Sequence, residues 1–248
     1  MTEELIRNYW NARARGYAIA TVNDADPEDT RRWRGVLEDV LAPLEDKADV
    51  RILDVGCGPG LFSLLAAERL PNARVTALDG SPAMLEELKA SAEARGLLER
   101  ITLVEGDAGT IDEEGVYDLV MSRNVLWNLP DAEEALKGWW RALKTGGTLL
   151  TADGNHYRYL IDATHAAAVA AKPAPKSHDP KIFGNVDPAV MAERAKTLPL
   201  TRELRPDWDV RILEGVGASI ASLSTSTTPA PDGSPVVTDF TLIAKKTA

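Results

Sequence analysis

Short apolar runs alternate along this chain with stretches of helical periodicity, and glycine-rich turns lie between the two. The clearest run is Val-Arg-Ile-Leu-Asp-Val at 50–55, which is typical of a strand buried on both faces of a parallel sheet. Glycines at positions 56, 58 and 60 end this run, and helical periodicity resumes from Leu61. A strand, a glycine turn and a helix in this order are typical of the first half of a mononucleotide-binding unit.

The same alternation continues and predicts an α/β chain. Further strands are predicted at 73–79, 101–104, 116–121, 148–150, 218–224 and 236–245. Helices are predicted within 1–45 and at 131–144, 163–171, 188–196 and 205–217. A stretch rich in proline, serine and threonine, 224–235, is expected to be an exposed loop.

Composition narrows the classes of partner. The chain has 248 residues, 44% of them apolar and 27% charged, as in an ordinary globular protein. A net charge of −10 argues against a nucleic-acid partner, because phosphate binding requires a basic surface. Membrane association is not expected, since no apolar run approaches the ~18 residues that a bilayer span needs.

Compartment and metal content follow from the cysteines and histidines. The start of the chain lacks a basic segment followed by an apolar core, so no signal peptide is predicted. Cys57 is the only cysteine, which favours a reducing, cytoplasmic location. The three histidines, His156, His165 and His178, match no metal-ligand spacing, and we predict no metal site.

The glycine spacing indicates which ligand the first turn accepts. A dinucleotide fingerprint reads G-x-G-x-x-G, but here Leu61 occupies the position of the third glycine, which argues against a dehydrogenase. Instead, Asp54 is followed by glycines at alternate positions, Gly56, Gly58 and Gly60. This series resembles motif I of the class I S-adenosyl-L-methionine-dependent methyltransferases. Glycines allow close backbone approach, and Asp54 can accept hydrogen bonds from the ammonium group of that cofactor or from neighbouring amides.

The resemblance implies a fold and a set of cofactor contacts. The fold is a three-layer, Rossmann-like α/β structure with a seven-stranded sheet, parallel except for one antiparallel strand near the C-terminus. Asp79 is expected to bind the ribose hydroxyls, and Asp107 the adenine amino group. The full predicted cofactor set is Asp54, Gly56, Cys57, Gly58, Asp79, Gly80, Ser81, Met84, Gly106, Asp107, Ala108, Ser122 and Arg123. Met84 is alternatively an ordinary core residue.

The regions flanking this core are interpreted as acceptor-binding elements of a single domain, 1–248. Residues 1–45 are a helical cap, in which the motif at 9–14, Tyr-Trp-Asn-Ala-Arg-Ala, resembles a helix that covers the cofactor cleft. The alternative is an amphipathic helix that only packs on the domain. Residues 47–153 are the cofactor-binding core, 154–200 a helical insertion after strand five that forms a substrate lid, and 201–248 the closing helix and strands. Predicted acceptor contacts are Tyr9, Tyr17, Asn124, Trp127 and Asn128.

Catalysis needs little beyond alignment, because the sulfonium already activates the methyl group. His156 and Tyr157 follow strand five and are candidates for a general base; a capping or core histidine is the alternative reading. The predicted function is methyl transfer by in-line displacement to a small-molecule acceptor, leaving S-adenosyl-L-homocysteine, in a monomer or homodimer. The alternative is a non-catalytic protein that binds the same nucleoside, or a partner subunit of an active enzyme.

Overall fold

The structure is a computed structural model that describes residues 3–171, 179, 182–183 and 186–247. Eight α-helices are present in this part of the chain: α1 Glu3–Ala18, α2 Pro27–Leu41, α3 Leu61–Arg69, α4 Pro82–Ala94, α5 Ala132–Ala142, α6 Ala163–Ala170, α7 Ala189–Ala195 and α8 Asp207–Gly215. Seven strands are present: β1 Val50–Val55, β2 Ala73–Asp79, β3 Ile101–Glu105, β4 Tyr117–Arg123, β5 Leu143–Gly154, β6 Ser219–Pro229 and β7 Pro235–Lys245.

The strands form one sheet in the order β3-β2-β1-β4-β5-β7-β6. β1 is parallel to β2, and β2 is parallel to β3. β7 runs antiparallel to both of its neighbours, β5 and β6. The predicted Rossmann-like sheet with one antiparallel strand near the C-terminus is therefore confirmed.

Two predicted boundaries were wrong. The stretch 224–235 was expected to be a loop, but β6 continues to Pro229 and β7 begins at Pro235. β6 is an edge strand with mostly exposed residues, so its serines and threonines mark a solvated strand and not a loop. Helix α5 ends at Ala142, and β5 already begins at Leu143, ahead of the glycine turn from which the sequence predicted it.

The described residues divide into two compact units, and neither is a continuous segment. The first unit contains 3–108, 116–121 and the described residues between 175 and 187. The second contains 109–115, 122–171 and 188–247. Both units contain predicted cofactor residues and predicted acceptor residues. No helix among the described residues is long and apolar enough to cross a bilayer.

The core of the first unit surrounds β1. Val50, Ile52 and Val55 have no exposed surface, as the apolar run predicted. Asp118 on β4 fixes the start of β1, because its carboxylate accepts from the backbone N–H of Arg51 at 3.0 Å and from Lys47 Nζ at 2.7 Å. The start of β1, opposite the end that carries the predicted cofactor residues, is thus held by backbone pairing and by this buried carboxylate.

Candidate functional site

The turn after β1 requires glycine. Gly56, Gly58 and Gly60 have φ angles of 63°, 54° and 92°. These angles lie in the left-handed region of backbone conformation, which residues with a Cβ rarely adopt. A Cβ on Gly60 would also collide with the side chain of Leu88. Helix α3 begins directly afterwards, at Leu61. The third glycine is therefore needed for close packing of the turn against α4.

Asp79, at the end of β2, connects the turns that follow the first two strands. Its Oδ2 accepts from the backbone N–H of Gly58 at 2.8 Å, and its Oδ1 accepts from the backbone N–H of Ser81 at 2.8 Å. Each carboxylate oxygen has a second lone pair, so both can still accept from ribose hydroxyls. Burial raises the pKa of the Asp79 carboxyl, while the two backbone hydrogen bonds oppose that rise.

Asp54, on β1, and Cys57, in the turn that follows, are both buried. The hydroxyl of Ser63 donates to Asp54 Oδ2 at 2.6 Å, so this carboxylate connects the end of β1 to α3. The backbone N–H of Cys57 donates to the carbonyl of Leu78 at 2.9 Å. Burial raises the pKa of the Cys57 thiol well above its usual range, and the charges of Asp79 and Asp54 raise it further, so the thiol remains protonated.

Asn11 of α1 is a site residue that sequence reasoning missed. Ser81 caps α4 by accepting from the backbone N–H of Met84 at 3.3 Å. The Ser81 hydroxyl in turn donates to Asn11 Oδ1 at 2.7 Å, and the backbone N–H of Ala83 donates to the same oxygen at 3.3 Å. Asn11 belongs to the aromatic-rich motif at 9–14, but nothing local to that motif indicates its partner 70 residues away.

Residues 182–183 of the insertion contact α1. Arg13 is buried, donates to the carbonyl of Phe183 at 2.6 Å, and its guanidinium lies 3.7 Å from the centroid of the Phe183 ring. Trp10 packs edge-on against Tyr9 and Tyr17, with ring centroids 5.3 and 6.3 Å apart. Tyr9 is buried and Tyr17 is half-buried. Their contact with an acceptor stays a prediction.

The other predicted cofactor residues of the first unit lie around Asp79. The backbone N–H of Gly106 donates to the Asp79 carbonyl at 3.1 Å. Asp107 is exposed and Ala108 half-buried, whereas Met84 is buried in α4. The first unit thus contains Asp54, Gly56, Cys57, Gly58, Asp79, Gly80, Ser81, Met84, Gly106, Asp107 and Ala108. Ser122, which is buried, and Arg123, which is half-buried, belong to the second unit.

Asp153, near the end of β5, is the centre of a polar cluster in the second unit. Its Oδ1 accepts from the backbone N–H of Gly154 at 2.8 Å and lies 3.1 Å from His156 Nε2. Its Oδ2 accepts from the backbone N–H of Trp127 at 3.2 Å and lies 2.8 Å from Arg205 Nη1. The sequence analysis did not select Asp153 or Arg205, because they are far apart along the chain.

Arg205 is a fully buried guanidinium between two carboxylates. Its Nε and Nη2 donate to Asp209 at 2.9 and 2.6 Å, in the two-pronged geometry that suits arginine, and its Nη1 pairs with Asp153. Burial alone would raise the pKa of Asp153. The Arg205 charge and the His156 hydrogen bond outweigh burial and hold that pKa at about 2. Asp153 is therefore a carboxylate at neutral pH.

Aromatic rings lie beside this cluster. The Trp127 ring centroid is 5.7 Å from that of His156 and 5.1 Å from that of Tyr157, and Tyr159 extends the row at 5.8 Å from Tyr157. Trp127 Nε1 donates to the carbonyl of Asn124 at 3.0 Å. Asn124 follows β4 with a φ of 59°, a left-handed conformation that asparagine tolerates.

Asn128 connects the loop after β4 to the insertion. Its Oδ1 accepts from Arg194 Nε at 3.0 Å, and its carbonyl accepts from Arg194 Nη2 at 3.2 Å. Arg194 lies on α7 and is buried. Asn128 therefore has a structural role, and its predicted contact with an acceptor stays a prediction. In the described residues, no group of three or more His, Cys, Asp or Glu side chains could hold a metal ion.

Solved structures identify the class of fold. A geranyl diphosphate methyltransferase, solved in complex with GPP and sinefungin, matches with a TM-score of 0.61 at 15% identity over 98% of each chain. A putative methyltransferase from Bacillus halodurans matches with a TM-score of 0.58 at 17% identity, over 89% of this chain and 100% of the other. The fold is that of the Rossmann-like methyltransferases.

The sequence comparisons show which proteins part of this chain resembles. A family model described as a methyltransferase domain matches residues 52–147. A trans-aconitate 2-methyltransferase of Streptomyces avermitilis is 35% identical over 136 residues, 52% of this chain and 51% of that protein. A demethylmenaquinone methyltransferase of Thermus thermophilus is 37% identical over 120 residues, 48% of this chain and 52% of that protein. The chain spans about half the length of these curated relatives, and residues 52–147 match a methyltransferase domain.

Proposed function

We propose that this protein transfers the methyl group of S-adenosyl-L-methionine to a small-molecule acceptor and releases S-adenosyl-L-homocysteine. The observation that carries the proposal is the Asp79 carboxylate, which accepts from the backbones of Gly58 and Ser81. These two bonds hold the glycine turn and the start of α4 at fixed positions around one carboxylate. Both of its oxygens keep the capacity to accept from a pair of ribose hydroxyls.

The residues of the first unit fit this cofactor chemically. The glycine turn allows the amino-acid tail to approach the backbone closely, and the exposed carboxylate of Asp107 would accept from the adenine amino group. Asp54, Asp79 and Asp107 give this unit an acidic set of side chains, which suits a ligand that carries a sulfonium and an ammonium. Ser122 and Arg123, in the second unit, complete the proposed cofactor set.

The transfer step needs a nucleophile held in line with the methyl carbon. The nucleophile forms a bond to that carbon as the carbon–sulfur bond breaks, and the bonding electron pair stays on sulfur. Alignment of two reactants at near-attack distance supplies about 7–11 kcal/mol of the barrier reduction. Tyr9, Tyr17, Asn124, Trp127 and Asn128 are the proposed acceptor contacts, and residues 154–200 the proposed lid.

Calorimetric titration with S-adenosyl-L-methionine and S-adenosyl-L-homocysteine tests the proposal. The wild-type protein should bind both in the micromolar range. Asp79→Ala should lose at least tenfold in affinity, about 1.4 kcal/mol, because the ribose acceptors and the anchor of the turn are both removed. Asp39→Ala is the matched control, since Asp39 is an exposed residue of α2 in the same unit, and it should bind as wild type does.

Three outcomes would contradict parts of this proposal. No binding of either nucleoside by the wild-type protein would overturn the function. An unchanged affinity in a folded Asp79→Ala protein would remove the ribose assignment. Binding of both nucleosides without methyl transfer to any member of an acceptor panel would favour the alternative of a non-catalytic binding protein or partner subunit.

A further inference from the structure

The hydrogen bonds around Asp153 determine where the proton of His156 lies. An ionised carboxylate only accepts hydrogen bonds, and it offers about four lone-pair sites. Backbone N–H groups of Gly154 and Trp127 occupy two of them, and the Arg205 guanidinium forms an ion pair with Oδ2 at 2.8 Å. His156 Nε2, 3.1 Å from Oδ1, meets a further site. Since the carboxylate cannot donate, Nε2 must carry the proton, and the neutral ring then has its lone pair on Nδ1.

The Nδ1 atom of His156 has no protein hydrogen-bond partner in the part of the chain that the structure describes. The side chain is 26% exposed, whereas that of Asp153 is only 3% exposed. One ring nitrogen is thus held by a buried carboxylate, and the other is available to a ligand. This arrangement is typical of a histidine that accepts a proton.

Charged groups lie on the strands beside this ring. Asp153 on β5 contacts Nε2 directly. Asp239 on β7 pairs with Gly154 across the sheet, and a Cβ built on Gly154 would lie 3.2 Å from both Asp239 Oδ1 and His156 Cε1. Arg205 opposes them from the far side of Asp153, but Asp209 pairs with that guanidinium. Asp153 therefore contacts the ring directly, while Asp239 lies on the strand that pairs with Gly154.

We propose that Nδ1 of His156 takes the proton that the methyl acceptor loses, and that Asp153 is the positioning residue that keeps the ring in the required tautomer. This inference rests on the proposed function and deepens it. The acceptor oxygen bonds to the methyl carbon, the carbon–sulfur bond breaks with its electron pair left on sulfur, and the hydroxyl proton passes to Nδ1. The resulting imidazolium carries a proton on each nitrogen, and Nε2 remains hydrogen-bonded to Asp153.

The base restricts the class of acceptor. A carboxylic acid is already ionised at neutral pH and needs no base, whereas a phenolic hydroxyl has a pKa of about 10 and does. The rings of Trp127, Tyr157 and Tyr159 beside His156 suit a flat, largely apolar body. We therefore assign the acceptor to ring-bearing hydroxyl compounds. This class differs from trans-aconitate, a carboxylate, which appears in the name of a relative.

The tautomer is measured directly by long-range proton–nitrogen NMR on the full-length protein, with His156→Gln to assign the resonance. The wild-type ring should show a protonated Nε2 and an unprotonated Nδ1 at neutral pH. Asp153→Asn should shift the ring toward a mixture of tautomers, while Asp239→Asn, the matched control, should leave it unchanged. A protonated Nδ1 in the wild-type protein overturns the proposal, even if Asp153→Asn does not fold. An unchanged tautomer in folded Asp153→Asn overturns the positioning role.

Methyl transfer to catechol, 2-naphthol and a flavonol tests the base and the acceptor class. His156→Gln should lower kcat by about 10²-fold or more and leave the affinity for S-adenosyl-L-methionine unchanged. A kcat within threefold of wild type overturns the base. Transfer to none of the three probes by a protein that binds S-adenosyl-L-methionine overturns the acceptor class and leaves the proposed function standing.

Discussion

Asp153 shows how one buried carboxylate can combine a structural and a chemical role. Four polar groups converge on it: two backbone N–H groups, an imidazole, and a guanidinium that forms an ion pair with the carboxylate. Removing a buried charge from water is costly unless such partners replace the water. The same four contacts that make the charge tolerable also fix the orientation of His156.

The charge on Asp153 should make stability sensitive to acid. Its pKa of about 2 in the folded protein is below the ~3.9 of an unfolded aspartate. The group therefore stabilises the fold above about pH 4, and this contribution, up to about 2 kcal/mol, is lost as the pH falls toward 2. Urea unfolding between pH 5 and pH 3 should show a steeper fall in unfolding free energy for wild type than for Asp153→Asn. Equal slopes would show that the carboxylate is not paired as described.

Individual residues differed in how well the sequence revealed them. Asp54 and Asp79 are recognisable because each lies at a strand end in register with the glycine turn. Asp153 and Arg205 are 52 positions apart in the printed chain, and the amide of Asn155, which donates to the Arg205 carbonyl and accepts from the Arg205 N–H, holds them together. Sequence spacing carries no information about such a pairing, since the topology of β5 and the segment before α8 creates it.

At the scale of elements, α1 is coupled to the turn after β2 through a single amide. Asn11 Oδ1 accepts from the Ser81 hydroxyl and the Ala83 N–H, so it adds an external cap to α4. The backbone N–H of Ser81 is also a donor to Asp79. A change in α1 can therefore reach the Asp79 carboxylate through two hydrogen bonds.

Asn11→Leu should weaken S-adenosyl-L-methionine binding several-fold, because the Ser81 hydroxyl and the Ala83 N–H lose their acceptor, at a cost of about 1–3 kcal/mol for each buried group left unsatisfied. Asn11→Asp should largely restore affinity, since a carboxylate can accept the same bonds near a helix N-terminus. The matched control is Asn8→Leu, an exposed position on the same helix. Calorimetric titration measures the affinity of each variant for S-adenosyl-L-methionine. Equal affinities of Asn11→Leu and Asn8→Leu would show that α1 is not coupled to the Asp79 carboxylate.

Elements were predicted best where their apolar pattern was strong. The runs that predicted β1 and β2 are buried in the structure, and hydrophobic burial determined both their position and their type. β6 was truncated in the prediction because it is the last strand of the sheet. The residues of β6 need only backbone pairing with β7, so the strand forms without an apolar pattern. Its polar sequence therefore resembles that of a loop.

At the scale of the whole molecule, the chain passes repeatedly between the two units. The first unit includes 116–121 in addition to its N-terminal segment, and the second includes the neighbouring 109–115 and 122–171. The insertion contributes to both, since Phe183 contacts Arg13 in the first and Arg194 contacts Asn128 in the second. Neither unit can be obtained by cutting the chain at one point, so the experiments above use the full-length protein.

Cys57 gives the protein a built-in reporter. It is the only thiol in the chain, it is 8% exposed, and it lies inside the glycine turn that the proposed cofactor occupies. A thiol-directed reagent can modify it only when that turn opens, so the labelling rate measures the opening of one loop in an otherwise unlabelled molecule. Saturating S-adenosyl-L-homocysteine should slow this rate at least tenfold, and an equal rate with and without the nucleoside would place the ligand elsewhere.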